Sequence, residues 1–288
     1  MSFDPLLYIA LAVGFAIGRL TPWRSHRIGQ AALVTVAILL FLLGDSLGTL
    51  GLGTVATEVP LALAFAAATL VVTVLVAGVL VRGKPAPARE PKARELRASL
   101  LPPVGFLAAV LLGVVVGRFG GAGPGPFTEY ALYALLALVG FDLQLNLARL
   151  RSAWIPIAAA TAGGIAVAAA FAVSGLVPAQ AVFSTALAFG WYSLSGPLTA
   201  IRLGPALGLF AFLANFLREN LTMLTAPVLG RRVRGEGLAA MGGATSMDTT
   251  LYFVTRYGDP EAATVALATG IVLTTAAALL VPFVLSLP

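Results

Sequence analysis

The sequence predicts an all-α, multi-pass membrane protein, and its composition and internal repetition both support that class. Of 288 residues, 59% are hydrophobic and only 10% are charged, whereas soluble domains carry about 25% charged residues. The mean hydropathy is +0.97. A membrane-spanning helix needs roughly 20 apolar residues, so a chain of this length holds about eight to ten of them. We therefore expect the bilayer to be its main solvent.

Charge and missing residue types exclude several functional classes. The formal net charge is +6, cysteine is absent and His26 is the sole histidine. The basic residues flank apolar segments, which indicates membrane topology and not a nucleic-acid partner. Without cysteines or a histidine cluster, neither a metal site nor a haem or other cofactor is predicted. The first 20 residues lack the basic start of a signal peptide, so we interpret them as a first span.

Two of the apolar segments are interrupted by polar residues. The segments fall at about 5–20, 30–50, 59–81, 101–119, 128–147, 153–175, 179–201, 205–230, 237–255 and 261–287. The interruptions are "GWYSLSGP" (190–197) and "GGATSMDTT" (242–250). Irregular backbone at membrane depth is tolerated only where it lines a cavity or is buried in protein. We therefore expect the two interruptions to meet in the interior.

Two topologies fit these segments. If each interrupted segment enters and leaves on its own side, the chain has about eight transmembrane helices plus two re-entrant hairpins. If both segments cross, it has ten spans with two broken helices. The first alternative places more of the 18 Lys and Arg residues in the cytoplasm, as the positive-inside rule favours. It puts both termini outside and the basic loop 82–100 inside; the ten-span alternative stays open.

The sequence also contains internal repeats. "LYIALAVGFAIGRL" (7–20) matches "FLAAVLLGVVVGRF" (106–119), and downstream 190–205 pairs with 244–259. A unit of three spans is odd, so its second copy is inverted. Inverted repeats with broken helices near the midplane are typical of secondary transporters. The predicted regions are a six-span part, 1–175, made of repeats 1–81 and 101–175, and a hairpin–span–hairpin–span transport core, 176–288.

Nothing in the sequence predicts an enzyme. There is no P-loop and no GxSxG motif, and no suitable histidine is available as a base. ATP-driven transport and serine hydrolysis are therefore not expected. The glycine motifs that are present are the GxxxG pairs Gly14/Gly18 and Gly113/Gly117, which favour close helix packing.

Glu219 is the leading candidate for a functional residue. It lies near the middle of 205–230, where a charge costs roughly 2.5–3.5 kcal/mol on insertion scales and is by default functional. A structural ion pair with Arg218 is the alternative, but adjacent helix positions point about 100° apart. Asn215 shares the helix face of Glu219. The secondary polar candidates are Thr222, also on this face, and Asp45 and Asp142, which lie near span ends and are either structural, gating or direct ligands.

The interruptions supply the other candidates. In the second, Asp248 follows Thr245 and Ser246; it either caps the next helix or binds ligand, and the two roles are compatible. The first interruption holds Ser193 and Ser195, with Pro197 expected at the first position of the following helix, whose N-terminus would suit a carboxylate. The aromatic candidates, which would either cover a ligand or stack on a cation, or anchor the chain at the interface, are Trp191 and Tyr192.

Three of these motifs together resemble the lysine exporter LysO family of bacterial and archaeal membrane proteins. They are "GWYSLSG" (190–196), the pair Arg218–Glu219 and "GATSMD" (243–248). The resemblance implies export of L-lysine and of toxic analogues such as thialysine across the inner membrane by proton antiport, with eight spans and both termini outside. It also implies that the family's two intramembrane acidic residues fall on Glu219 and Asp248.

The chemistry of lysine fits that expectation. Two carboxylates would hold its ammonium groups, and protons would compete for the same oxygens. The expected partners are L-lysine, protons and membrane lipid, while the sequence leaves a homo-oligomer open. The alternatives are an exporter of another cationic or small amino acid, and a passive channel.

Overall fold

The structure is a computed structural model that describes residues 5–21, 26–80, 93–120, 126–142, 147–230, 232–258 and 262–288. Within these ranges the chain forms helices and turns and no strand, so the predicted all-α class is confirmed. The helices are α1 (Pro5–Leu20), α2 (His26–Leu47), α3 (Leu52–Leu80), α4 (Ala93–Phe119), α5 (Phe127–Asp142), α6 (Leu147–Ser174), α7 (Ala179–Leu187), α8 (Tyr192–Leu203), α9 (Pro205–Leu229), α10 (Gly235–Gly242), α11 (Leu251–Tyr257) and α12 (Ala262–Ser286), with a short 310 helix at Gly243–Met247.

Several helices are long and apolar enough to cross a membrane. In the described part of the chain these are four segments, Gln30–Leu47, Gly53–Leu80, Ala153–Ser174 and Ala262–Ser286. Shorter apolar stretches occur at Pro5–Leu20, Val104–Phe119 and Phe127–Leu138. Large apolar side chains such as Val79 and Val173 are 83% and 89% exposed, which suits lipid and not water. The chain is a multi-pass membrane protein.

The first GxxxG motif packs α1 against α5. A Cβ at Gly14 would overlap the carbonyl of Ala137, and a Cβ at Gly18 would overlap that of Phe141. Only glycine allows backbones this close, so the predicted packing role is confirmed. Because both contacts advance by four residues along each helix, α1 and α5 run in the same direction.

The second GxxxG motif makes the equivalent contact between α4 and α2. Gly113 lies against the carbonyl of Phe41 and Gly117 against that of Asp45. These helices also run in the same direction. The first helix of each predicted repeat therefore packs against the second helix of the other repeat.

The third helices of the predicted repeats, α3 and α6, run in opposite directions. In the middle of α3, Phe65 packs edge-on against Phe171, near the end of α6, with ring centroids 5.1 Å apart. Further along α3, Thr73 contacts Gly163, which precedes Phe171 in α6. The order of contacts is reversed, so the pair is antiparallel.

α9 runs in the same direction as α3. Phe65 contacts Phe210 near the start of α9, at 5.5 Å between ring centroids. Leu70, later in α3, lies in a buried cluster with Met223 and Ala226, later in α9. Since α6 opposes α3, α6 and α9 also run in opposite directions.

α7 and α8 form an antiparallel helix pair. After the turn at Gly175, α7 folds back along α6, where Ala186 faces Gly164. After the turn at Gly204, α9 folds back along α8, where Gly196 meets Phe212. Because α6 and α9 are opposed, their partners α7 and α8 are opposed too, and the chain reverses between them.

α10 and α11 form a second antiparallel pair. The end of α10 lies beside the middle of α9, where Arg218 binds the carbonyls of Ala240 and Met241. At the other end of the pair, Tyr257 at the close of α11 contacts Gly230, just beyond α9. The chain therefore runs toward the middle of α9 along α10 and returns along α11.

The structure corrects two boundaries. Helix α4 begins at Ala93, inside the predicted loop 82–100, since residues after 92 are rich in the helix formers Ala, Arg, Glu and Leu and helix formation does not require membrane burial. Helix α8 begins at Tyr192, so Pro197 lies inside it and not at its first position. Both α3 and α6 pack on the downstream helices, and the division into regions 1–175 and 176–288 stays a prediction.

Candidate functional site

The two interruptions meet in the interior, as predicted. The backbone N–H of Ala244 donates to the carbonyl of Phe189 at 2.9 Å, and both residues are buried. Gly190 lies beside Gly242 and the side chain of Thr245. One backbone hydrogen bond therefore joins the break between α7 and α8 to the break between α10 and α11.

Left-handed backbone makes both breaks possible. Phe189 has φ +53° although it is not glycine, and Gly190 follows with φ +98°. Gly243 has φ +63°, and a Cβ there would overlap the Phe189 carbonyl. The second break thus requires glycine for conformation and for close approach, while Phe189, only 1% exposed, is held in an uncommon conformation by its surroundings.

Glu219 lies in the middle of α9 with its carboxylate unpaired. It is 1% exposed, and within the described residues neither side-chain oxygen has a hydrogen-bond partner. The Thr249 side chain approaches it, and the charge of Asp248 acts on it. The neighbouring Arg218 directs its guanidinium to backbone carbonyls instead, so the alternative of a structural Arg218–Glu219 ion pair is wrong.

Asp248 is exposed, and not the buried charge that the sequence led us to expect. It follows the 310 helix in a turn, close enough to Glu219 and Tyr192 for its charge to act on both. Its Oδ1 accepts from the backbone N–H and the hydroxyl of Thr249. Helix α11 begins later, at Leu251, and has no side-chain cap, so the capping alternative for Asp248 is also wrong.

Tyr192 belongs to a buried aromatic cluster at the start of α8. Its ring packs edge-on against Phe106, Phe212 and Phe216, with centroids 6.3, 5.8 and 5.4 Å away. It is 5% exposed and close enough to Glu219 and Asp248 for their charges to act on it. This placement disfavours an interfacial anchor. Trp191, half-buried, donates from Nε1 to the Ser193 hydroxyl at 3.0 Å.

Asn215 and Ser195 are occupied by scaffold contacts. The Asn215 amide nitrogen donates to the Thr185 carbonyl, the Ser195 hydroxyl and the Ala211 carbonyl at 3.0–3.1 Å. Its Oδ1 accepts from the Gly190 N–H at 2.7 Å. Nothing in this arrangement leaves a free amide donor for a ligand.

The remaining hydroxyl candidates also bond locally. Thr245 and Ser246 donate to the carbonyls of Gly242 and Gly243 at 3.0 and 2.7 Å, and Ser246 lies 2.8 Å from the Ala266 carbonyl in α12. Thr222 bonds back to its own helix at the Arg218 carbonyl, at 2.8 Å. These side chains shape the second break and α9.

Among the described residues, neither of the secondary acidic candidates, Asp45 and Asp142, is shown to contact this junction. Asp45 is 6% exposed at the contact between α2 and α4, and within the described residues its Oδ1 has no hydrogen-bond partner. The side chain of Asp142 lies outside the described residues. Neither position is shown to join Glu219.

Sequence reasoning missed two residues that the structure brings to the site. Thr249 bonds to Asp248 and approaches Glu219, and its position directly after Asp248 was the available signal. Arg218 was treated only as a partner for Glu219. Its actual partners are backbone carbonyls, which a one-letter sequence does not display.

Comparison with known proteins identifies a family. Residues 107–285 match the family model described as lysine exporter LysO. The lysine exporter LysO of Escherichia coli is 34% identical over 167 residues, which cover 54% of this chain and 54% of that protein. A putative lysine exporter of Haemophilus influenzae is 29% identical over 198 residues, 64% of this chain and 98% of that protein.

The chain thus spans about half the length of the E. coli relative. No solved structure matches the chain. The family match covers more than half of the sequence and includes α9 and both interruptions. The chain therefore belongs to the lysine exporter LysO family.

Proposed function

We propose that the chain is a secondary active transporter that exports L-lysine from the cytoplasm in exchange for protons. One observation carries this proposal: Glu219 is buried without a hydrogen-bond partner among the described residues, beside the junction of two helix breaks and near Asp248. A buried carboxylate left unpaired is costly, and such groups inside membranes mark substrate or proton pathways. The names of the two relatives point to lysine as the cargo.

Two carboxylates of different exposure suit lysine, which carries two ammonium groups and one carboxylate. Glu219 would bind one ammonium group of lysine at the closed end of the site and Asp248 the other at the accessible end. Protonation of either acid removes the charge that holds the cation. Substrate and proton therefore compete, which is the minimal requirement for antiport.

The helix directions support the eight-span topology for this transporter. The antiparallel pairs α7–α8 and α10–α11 begin with helices of nine and eight residues, which at 1.5 Å per residue reach about 12–14 Å, under half of a roughly 30 Å hydrocarbon core. We interpret them as re-entrant hairpins. The parallel pairs α1–α5 and α4–α2 each join one repeat to the other, and α3 and α6 are antiparallel. Both features support inverted repeats in the cytoplasmic membrane.

Proton-driven flux in proteoliposomes tests the proposal. With an imposed pH gradient, we expect Glu219→Gln and Asp248→Asn each to lower radiolabelled lysine flux to background, because a neutral amide neither binds ammonium strongly nor exchanges a proton. Glu129→Gln, an exposed acid in the first turn of α5, is the matched control and keeps normal flux. Normal flux in both site variants would contradict the proposal.

Counterflow separates this mechanism from a passive channel, and competition defines the cargo. Internal unlabelled lysine accelerates uptake of external label through an exchanger, whereas a channel shows no such obligatory exchange. Arginine, ornithine and thialysine, added in excess, test whether another cationic amino acid is preferred. Stronger inhibition by one of these than by lysine would reassign the substrate.

A further inference from the structure

α9 carries three buried polar side chains within five positions, and they are used in two different ways. Asn215, Arg218 and Glu219 are 2%, 2% and 1% exposed. Asn215 and Arg218 direct their hydrogen bonds to the two interrupted segments or to α9 itself. Glu219, next to Arg218 in α9, has no such bond among the described residues. Asn215 and Arg218 thus bind the backbone around the site, whereas the Glu219 carboxylate stays available to a ligand.

Asn215 binds the first interrupted segment at three successive places. Its amide contacts Thr185 in α7, Gly190 in the break and Ser195 in α8. The contact to Gly190 is a backbone N–H donated to Oδ1 at 2.7 Å. One side chain thus fixes both helices of the pair and the left-handed residue between them relative to α9.

Arg218 binds the second interrupted segment at the end of α10. Its Nε and Nη2 donate to the carbonyls of Met241 and Ala240 at 3.2 and 3.1 Å. Carbonyls in the last turn of a helix lack intrahelical partners, and this end of the helix dipole attracts a cation. Gly243 lies so close that a Cβ there would be 3.2 Å from Nη2. The guanidinium therefore caps the C-terminal end of α10, where the break begins.

We propose that Asn215 and Arg218 are positioning residues: each fastens one interrupted segment to α9, and together they set the separation of Glu219 from Asp248 without binding the transported amino acid. This rests on the proposed function, in which those two carboxylates bind lysine. It reassigns Asn215, which the sequence had suggested as a ligand, and it gives the Arg218 charge a partner other than Glu219.

Disulfide trapping at the junction tests, without any substrate, whether Asn215 and Arg218 hold the interrupted segments against α9. The chain has no cysteine, so Ala188→Cys with Ala244→Cys, two small buried residues of one cluster at the junction, forms the sole reporter pair. We expect Arg218→Gln and Asn215→Ala each to slow oxidative cross-linking at least threefold. Arg218→Lys, whose ammonium still reaches a carbonyl, is expected to restore an intermediate rate. Unchanged rates in both the Gln and Ala variants would overturn the proposal.

A double variant distinguishes two roles for Arg218: binding the carbonyls of α10, or neutralising the charge of Glu219. If Arg218 served to neutralise Glu219, removing both charges in Arg218→Gln/Glu219→Gln would restore the cross-linking rate. If Arg218 instead acts by binding the α10 carbonyls, the cross-linking rate of the double variant stays as slow as that of Arg218→Gln alone. Restoration of the native rate overturns the proposal for Arg218, and a persistently slow rate supports it.

Comparison of two ligands distinguishes a positioning residue from a ligand at Asn215. Lysine and 1,5-diaminopentane share two ammonium groups, and only lysine has a carboxylate. For Asn215→Ala we expect both affinities to fall by a similar factor, so that their ratio stays within twofold of the native ratio. A selective tenfold loss for lysine would make Asn215 a carboxylate ligand. If the native protein bound no lysine, the proposed function would fail while the cross-linking result would still decide the fastening.

Discussion

At the scale of single residues, burial and pairing together distinguish the two acids. Glu219 is buried and has no hydrogen-bond partner for its carboxylate among the described residues, whereas Asp248 is exposed and bonded to Thr249. An exposed acid equilibrates with solvent protons directly, and a buried one does so through its neighbours. The pair therefore has an accessible member and a closed member, as expected for a site where cargo and protons alternate.

Thr249 is expected to tune lysine binding through Asp248. Thr249→Val removes the hydroxyl that donates to Oδ1, and loss of one such bond costs about 1 kcal/mol, which is roughly a fivefold rise in the lysine KM. Thr249→Ser keeps the hydroxyl and is the matched control. Equal KM values for the two variants in proteoliposome flux would show that the hydroxyl is not used.

Lysine binding is expected to weaken as the pH falls. Protons neutralise the carboxylates that hold the ammonium groups, so binding is full where both acids are ionised and is lost as either gains a proton. Equilibrium binding of radiolabelled lysine to purified protein, measured at pH 8 and at pH 6, checks the sign. A dependence in the opposite direction, or none, would exclude competition between proton and cargo.

At the scale of elements, hydropathy predicted which segments are helical and the small-residue motifs predicted their closest contacts. Hydropathy misplaced the start of α4, because it reports the solvent around a helix and not where its hydrogen bonds begin. The preference of proline for the first helical position misplaced Pro197, since α8 begins earlier, at Tyr192. The roles of Asn215 and Arg218 could not be predicted, since both bind backbone groups whose positions depend on tertiary packing.

Two glycines of α4 give a matched test of element packing. Gly113→Ala places a methyl group on the Phe41 carbonyl, and α4 must move away from α2; such overpacking costs about 1–3 kcal/mol. Gly105→Ala, in the same helix with nothing within 4 Å of its Cβ, is neutral or slightly stabilising. Thermal unfolding in detergent should rank Gly113→Ala below the native protein and Gly105→Ala at or above it.

At the scale of the whole molecule, equivalent helices of the two predicted repeats make equivalent contacts. α1 pairs with α5 as α4 pairs with α2, and α3 opposes its own counterpart, α6. This order is what a two-fold axis in the membrane plane would produce. In that arrangement the two interrupted segments would approach from opposite faces and meet at the buried junction of Phe189 with Ala244.

The inverted relation predicts that equivalent helix ends lie on opposite sides of the membrane. Leu20 and Phe119 occupy the same place in the two repeats, each directly after GxxxGR, and are 84% and 86% exposed. In the cysteine-free chain, Phe119→Cys should react with a membrane-impermeant maleimide in intact cells. Leu20→Cys should react only after permeabilisation, because the proposed topology has the first span begin outside and end in the cytoplasm. Labelling of both residues from the same side would exclude inverted repeats, and labelling with the two sides exchanged would keep the repeats but reverse the proposed orientation of the transporter.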